Sequence, residues 1–150
     1  MTKDTLVLCD IDETVLTFKG VTHEWWNANI EKHGHAWTYD QWEHIARTNP
    51  PEATDPTGFQ TMVRNSGKLI FVTARKKHLM RLTEEHLSKV TNQKWDVLFC
   101  GTESKGRIIK EHLDLSPFDR VVFIDDSDRH LQTVRDEFGD AMEFYKFHAF

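Results

Sequence analysis

Leu6-Val7-Leu8-Cys9-Asp10-Ile11-Asp12-Glu13-Thr14-Val15-Leu16 is the stretch whose reading decides the fold: an apolar run that ends abruptly in two carboxylates one residue apart. A strand covered on both faces, as in the middle of a parallel sheet, needs no polar alternation, and residues 6–9 show none. Asp10 then falls at the carboxyl end of that strand, where open α/β sheets place their ligands. Side chains i and i+2 leave a strand on the same face, so Asp10 and Asp12 converge if the extended conformation persists. Two anions that close repel, and a bound cation is the usual compensation. The same run also fits a strand closing in a solvated acidic turn, and alone it does not choose between the two.

Downstream, strand and helix patterns alternate. Apolar runs at 68–73, 95–100 and 120–124 read as strands, and 142–147 as a last strand at the sheet edge. Between them, Leu79, Leu82, His86, Leu87 and Val90 have helical spacing. So do Ile108, Ile109, His112 and Leu113 on the inner side of the next helix, and Leu131, Val134 and Phe138 before Gly139. Strands separated by helices of this length predict an α/β fold, a doubly wound parallel sheet of about five strands with right-handed crossovers. No internal repeat, low-complexity tract or interdomain linker interrupts it, so residues 1–150 are expected to form one domain.

Residues 17–66 differ in character. Four of the five tryptophans (Trp25, Trp26, Trp37, Trp42) fall there, with His23, His33, His35 and His44. A short helix around Trp25, Trp26, Asn29 and Ile30 is expected to stop near Gly34. Thr38-Tyr39-Asp40-Gln41 has the form of a capping box opening a second helix, which Asn49-Pro50-Pro51 ends. A third should cover 57–65 and close at Ser66-Gly67, the glycine suiting a left-handed cap. The tryptophans read first as a packing cluster, with some facing a ligand as the alternative. His33-Gly34-His35 lacks further ligands at zinc-site spacing and reads as a solvated loop. His78, His86 and His112 read as surface or boundary residues. His130 reads as a helix-surface residue, with an approach to the acidic edge as its alternative.

Composition bounds the function. A chain of 150 residues buries a real core. With 19 basic and 24 acidic residues the net charge is -5, which argues mildly against a nucleic-acid surface without excluding a local basic groove. Cys9 and Cys100 each end an apolar run and read as small core residues rather than a disulfide, pointing to a reducing compartment. The amino terminus has no basic and apolar signal pattern, and no apolar stretch reaches membrane-spanning length. A cytoplasmic location with no membrane partner is the expectation.

The chemistry appears when the strand ends are compared. One ends in Asp10, one in Thr73, one in Asp125-Asp126, and Lys105 opens the helix after the third. A carboxylate nucleophile, a second acid, a hydroxyl, a lysine and an acidic pair on one sheet edge suit phosphoryl transfer, where catalysis is mostly positioning and charge neutralisation. An aspartate can accept phosphate as a mixed anhydride, which splits hydrolysis into two easier steps. Magnesium would neutralise acids and phosphate together.

In these residues the chain resembles the haloacid dehalogenase (HAD) superfamily of phosphotransferases. Asp10-Ile11-Asp12-Glu13-Thr14 matches the first motif, Thr73 in Val72-Thr73-Ala74-Arg75 the second, Lys105 the third and Asp125-Asp126 the fourth. The resemblance implies that Asp10 is the nucleophile and a magnesium ligand. It implies that Asp12 protonates the leaving group, activates water and touches the metal through its main-chain carbonyl. Thr73 would bind the transferring phosphoryl group, Lys105 would balance its charge, and Asp125, with Asp126 or Asp128, would complete the Mg2+ site. An aspartate at position 12 goes with phosphatases and mutases in that superfamily. The wording Asp-Ile-Asp-Glu-Thr-Val-Leu is also similar to the first motif of exported bacterial nonspecific acid phosphatases, whose substrate range and location are not carried over.

The insert at 17–66 lies where the superfamily places a helical cap, here short enough to admit a larger substrate. Trp25, Trp26, Ala74 and Arg75 join Thr73 and Lys105 as candidate substrate contacts, the tryptophans against core packing and Arg75 against a surface ion pair. The expected activity is magnesium-dependent hydrolysis of a small phosphomonoester. Its competitors are a 3′-phosphatase acting on nucleic-acid ends and a non-catalytic phospho-ligand binder. A response-regulator receiver is disfavoured, because its paired acids come first and its phosphoacceptor in mid-chain.

Overall fold

The computed structural model describes residues 4–148. Five parallel strands form the sheet: β1 (Thr5–Cys9), β4 (Lys68–Thr73), β5 (Asp96–Phe99), β6 (Arg120–Asp125) and β7 (Glu143–Lys146), in the order β5-β4-β1-β6-β7. β1 is central and every residue in it is buried. Its unbroken apolar run is thereby explained, because each side chain meets a covered face. Val7 and Cys9 join Leu69, Phe71 and Val122 on one face, while Leu6 and Leu8 join Val72, Val121 and Phe123 on the other.

The first face is covered by α3 (Pro56–Asn65) and α4 (Met80–Thr91), which follows a short 3₁₀ turn at Lys77–Leu79. The second is covered by α5 (Lys105–His112) and α6 (Asp128–Phe138) through Ile108, Ile109, Leu131 and Val134. α5 and α6 approach so closely at Gly106 that an added Cβ would collide with the Thr133 carbonyl. That glycine seats α5, and with it Lys105, tightly on its neighbour. Cys9 and Cys100 are buried and free, as expected of small core residues.

Between β1 and β4 the chain forms a small antiparallel hairpin, β2 (Leu16–Thr17) with β3 (Glu52–Ala53), and the loop of that hairpin carries α1 (His23–His33) and α2 (His35–Thr48). Within the 17–66 insert, α3 packs back on the sheet, with Phe59 stacked on Phe71 at 6.2 Å, and α1 and α2 make the excursion. Trp42 and Ala46 root α2 in the core, whereas no residue of α1 is fully buried.

Several local expectations change. α2 begins at His35, not after a capping box: Thr38 lies inside the helix, wholly buried, and its hydroxyl donates to the Gly34 carbonyl at 2.8 Å. Gly34, with φ 87°, makes the turn between α1 and α2. Gly67 takes no left-handed conformation; Ser66 ends α3 extended, and the Gly67 N–H donates to Thr5 at 2.9 Å, starting the sheet. His112, the last residue of α5, is exposed, which agrees with its surface reading and not with a place on the inner side of that helix. His86 is buried, contrary to its surface reading. Among the described residues, no helix is long and apolar enough to cross a membrane.

Candidate active site

Immediately after β1 the chain abandons the extended form. The Ile11 carbonyl accepts from the N–H groups of Thr14, Val15 and Leu16 at 3.2, 2.8 and 3.2 Å, winding residues 11–16 into one tight turn. Glu13 takes a left-handed φ of 64° in it, a strained choice for a side-chain-bearing residue. Asp10 and Asp12 therefore do not share one cation, and each carboxylate has its own.

Asp10 faces Lys105. The lysine ammonium, with no solvent exposure, donates to Asp10 at 2.8 Å and to Asp125 at 2.7 Å. Burial alone would depress its pKa, but the charges of Asp10 and Asp125 outweigh that and raise it above the ordinary lysine value. The other Asp10 oxygen accepts from the Thr14 hydroxyl at 3.1 Å, which also reaches Asp126 at 3.4 Å. The free oxygen of Asp125 accepts from the Ser127 N–H at 3.0 Å as the chain turns into α6. Asp126 meets the ring of His23, the first residue of α1, at 3.0 Å.

Asp10, Asp125 and Asp126 each offer an oxygen within 4.8 Å of the others. Burial and the charges of Asp10 and Asp125 push the Asp126 carboxyl far above the usual carboxylate range. Three buried carboxylates with one ammonium between two of them are short of positive charge, and the donors are all hard oxygens. This set fits a divalent cation of the magnesium or calcium kind.

Asp12 faces Arg75 instead. The guanidinium grips both carboxylate oxygens, Nε at 2.9 Å and Nη2 at 2.8 Å. Its Nη1 donates to the Thr83 hydroxyl at 3.1 Å and to His86 Nδ1 at 2.9 Å, and its carbon lies 5.0 Å over the Trp42 ring. Arg75 is thus no surface ion pair: it is 2% exposed, and the bonds described occupy four of its five N–H donors. Thr73, at the end of β4, is buried and accepts from the Arg75 N–H at 3.0 Å, leaving its own proton for a ligand.

These groups surround a cavity of about 670 Å³ above the carboxyl edge of the sheet. Asp10, Asp12, Asp126, Ala74 and Arg75 line its floor; Trp26, Tyr39 and Trp42 of the insert form one wall, and His130 and Lys146 belong to the other side. Thr73 and Lys105 are buried beside the floor residues Arg75 and Asp10, to which they are bonded. Of the paired tryptophans, Trp26 reaches the cavity and Trp25 does not, standing edge-on to it at 5.2 Å. His130 is half-buried at the cavity, and burial with the nearby Lys105 charge lowers its pKa to about 4, so the alternative reading of this residue is the better one. Glu13 also lines the cavity; burial and Asp12 push its pKa up to about 8.

Sequence reasoning missed Thr14, although it stands inside the quoted motif, and missed His23, Thr83 and His86. Thr14 and His23 reach Asp126 and His86 reaches Ala46 across 40 residues or more, Thr83 and His86 meet Arg75 8 and 11 residues away, and no local pattern announces these pairings.

A doubly wound sheet that presents a carboxylate at the end of its central strand, backed by a buried lysine and flanked by two further aspartates, places the protein in the HAD class. Within that class, the family model for HAD superfamily, subfamily IIIB (acid phosphatase), matches residues 2–111, and the chain belongs to that family. It is thus related to phosphoric monoester hydrolases. A second model, for a protein family of unknown function, matches residues 94–149. Among solved structures, the chain is similar to one in the Pnkp1/Rnl/Hen1 RNA repair complex, at 18% identity and TM-score 0.62 over 96% of this chain and 42% of that one. It is also similar to the class C acid phosphatase from Bacillus anthracis, at 19% identity and TM-score 0.57 over 100% of this chain and 69% of that one. The chain therefore spans less than half of the RNA-repair chain. No curated protein sequence matches it.

Proposed function

We propose that the chain is a magnesium-dependent phosphatase that hydrolyses a phosphomonoester through an aspartyl-phosphate on Asp10. The observation that carries this reading is Asp10 itself, a buried carboxylate at the end of the central strand, fixed by Lys105 on one oxygen and Thr14 on the other. The chain is read as one domain whose 17–66 insert supplies a small helical cap through α1 and α2, while its α3 packs on the sheet.

In the first step an Asp10 oxygen attacks phosphorus, and the bond to the leaving oxygen breaks while Asp12 delivers a proton to it. In the second, water attacks the phosphoryl group, gives its proton to Asp12, and Asp10 is released with inorganic phosphate. Asp12 suits both tasks, because Arg75 fixes its carboxyl while each oxygen keeps a lone pair for a proton. The Thr73 hydroxyl donates to the transferring group, and the Ala74 and Arg75 backbone follows it along the cavity floor. Lys105 offsets the charge of Asp10 and Asp125 throughout. Asp10, Asp125 and Asp126 would hold Mg2+, with Asp12 adding its main-chain carbonyl. When bound, the ion neutralises the carboxylates and the phosphate that they would otherwise repel.

A polynucleotide 3′-end is the second reading, favoured by the RNA-repair neighbour and by the cavity volume of about 670 Å³. The test is hydrolysis of para-nitrophenyl phosphate and of a 3′-phosphorylated oligonucleotide, with magnesium and with chelator. Turnover should require magnesium and fall by about 10⁴-fold or more in Asp10→Asn, as loss of a nucleophile does. An oligonucleotide preferred by orders of magnitude would establish the second reading; undiminished turnover in Asp10→Asn would overturn both.

A further inference from the structure

Arg75, which holds Asp12, is itself held by two residues of α4 that share one face, Thr83 and His86. The His86 ring is bonded at both nitrogens. Nε2 lies 3.0 Å from the Ala46 carbonyl and Nδ1 lies 2.9 Å from a guanidinium nitrogen. A carbonyl only accepts and a guanidinium only donates, so the geometry fixes one neutral tautomer: Nε2 carries the proton and Nδ1 carries the lone pair. Burial and the Arg75 charge lower the His86 pKa to about 4, in agreement.

The Ala46 carbonyl is not an arbitrary partner. It belongs to the last turn of α2, whose carbonyls have no partner inside the helix. One turn earlier on the same helix, Trp42 lies over the Arg75 guanidinium. The cap helix thus touches the arginine twice, directly through Trp42 and through His86 from Ala46. The Phe18 ring also packs against the imidazole in a T-shaped pair, the ring centroids 5.1 Å apart.

We infer that His86 is a positioning residue for leaving-group protonation, coupling the seating of cap helix α2 to the orientation of Asp12 through Arg75. This rests on the reading of Asp12 as the proton donor. A histidine that only tied α2 to α4 would matter for stability alone, whereas a positioning histidine affects substrates according to how much their leaving groups need a proton.

The experiment compares kcat/KM for para-nitrophenyl phosphate, whose leaving group departs as an anion, with that for a simple alkyl phosphate, whose leaving group needs a proton. Because kcat/KM runs only to the first irreversible step, the later action of Asp12 on water does not enter. His86→Leu should change the aryl value by less than about threefold and lower the alkyl value by about 10- to 100-fold, the scale for a misplacement near 1 Å. His86→Gln, whose amide can accept from Arg75 and donate to Ala46, should restore most of the alkyl activity. Asp12→Asn must show the same alkyl selectivity, more strongly. If Asp12→Asn lowers both substrates alike, the reading of Asp12 fails. If Asp12→Asn is selective while the His86 variants lower both alike or neither, the inference about His86 alone is overturned. Should His86→Leu fold poorly, an alkyl-to-aryl ratio in His86→Gln that is closer to wild type than that of Thr83→Val supports the relay, and equal ratios in the two variants contradict it.

Discussion

Two buried cations stand on either side of the Asp10-Ile11-Asp12 turn, and they are built differently. Lys105 is a point charge bonded to Asp10 and Asp125, and everything that holds it belongs to the sheet and the helices packed on it. Arg75 is a planar fork that grips Asp12 and is braced by α4 and by α2 of the insert. In the proposed mechanism, the lysine side handles the phosphoryl group, a task common to any substrate. The arginine side there orients the group that protonates what leaves, and what leaves is the variable part. Tying that side to α2 of the insert would let the element beside the substrate also govern the acid.

The strongest way to break this contrast is on the lysine side. Lys105→Met leaves two buried carboxylates without their cation and should cost about 3–5 kcal/mol, measured by urea unfolding without metal, with activity lost for every substrate. A variant as stable as the wild type would remove Lys105 as the charge centre. On the other side, Arg75→Lys keeps the charge and loses the fork. It should lower kcat/KM for alkyl phosphates by about 10-fold or more while costing only about 1–2 kcal/mol, because a lysine cannot grip both Asp12 oxygens. Equal effects on aryl and alkyl substrates would erase the difference between the two cations.

A pH series sharpens the same contrast. His86, faced by Arg75 and influenced by Asp12 and Lys89, stays neutral in the fold down to about pH 4, whereas an unfolded histidine takes a proton near 6.5. The unfolded state therefore binds more protons between those values, and stability falls as the pH drops from about 6.5 to about 4. His86→Gln should flatten that part of the curve by roughly 2 kcal/mol, read as the difference between the two unfolding series. An unchanged slope would contradict the neutral, doubly bonded ring. A last comparison concerns the paired tryptophans. Trp26→Ala should raise KM several-fold by opening the cavity wall. Trp25→Ala should cost about 1–3 kcal/mol of stability with KM unchanged, since its ring packs behind the wall. A reversal of those two outcomes would mean that the wall is drawn from the wrong side of α1.

The lysine side was legible in the sequence, and the reason is geometric. Asp10, Thr73 and Asp125 end apolar runs, and a parallel sheet brings the ends of such runs to one edge wherever the crossovers lead. Lys105 follows because it opens the helix after β5. On the arginine side Asp12 and Arg75 were legible as site residues, but their pairing and what braces Arg75 were not. His86 has an ordinary helical position, and its importance depends on Arg75, 11 residues back, and Ala46, 40 residues back. Thr38 misled for a related reason: a threonine three residues before a polar side chain reads as a helix start, yet α2 starts one turn earlier because Gly34 turns directly out of α1. Trp25 and Trp26 are adjacent and chemically identical, and only the angle at which α1 docks decides which one faces the cavity.

The central claim is that Asp10 carries the phosphoryl group, and the most direct measurement looks for it there. Asp12→Asn protein mixed with an aryl phosphate and magnesium, quenched in acid within one turnover and digested, would be read by peptide mass spectrometry. The account predicts a phosphate on the peptide containing Asp10, discharged by hydroxylamine. Phosphate on any other residue, or complete substrate cleavage with no phosphorylated peptide at any quench time, would contradict it.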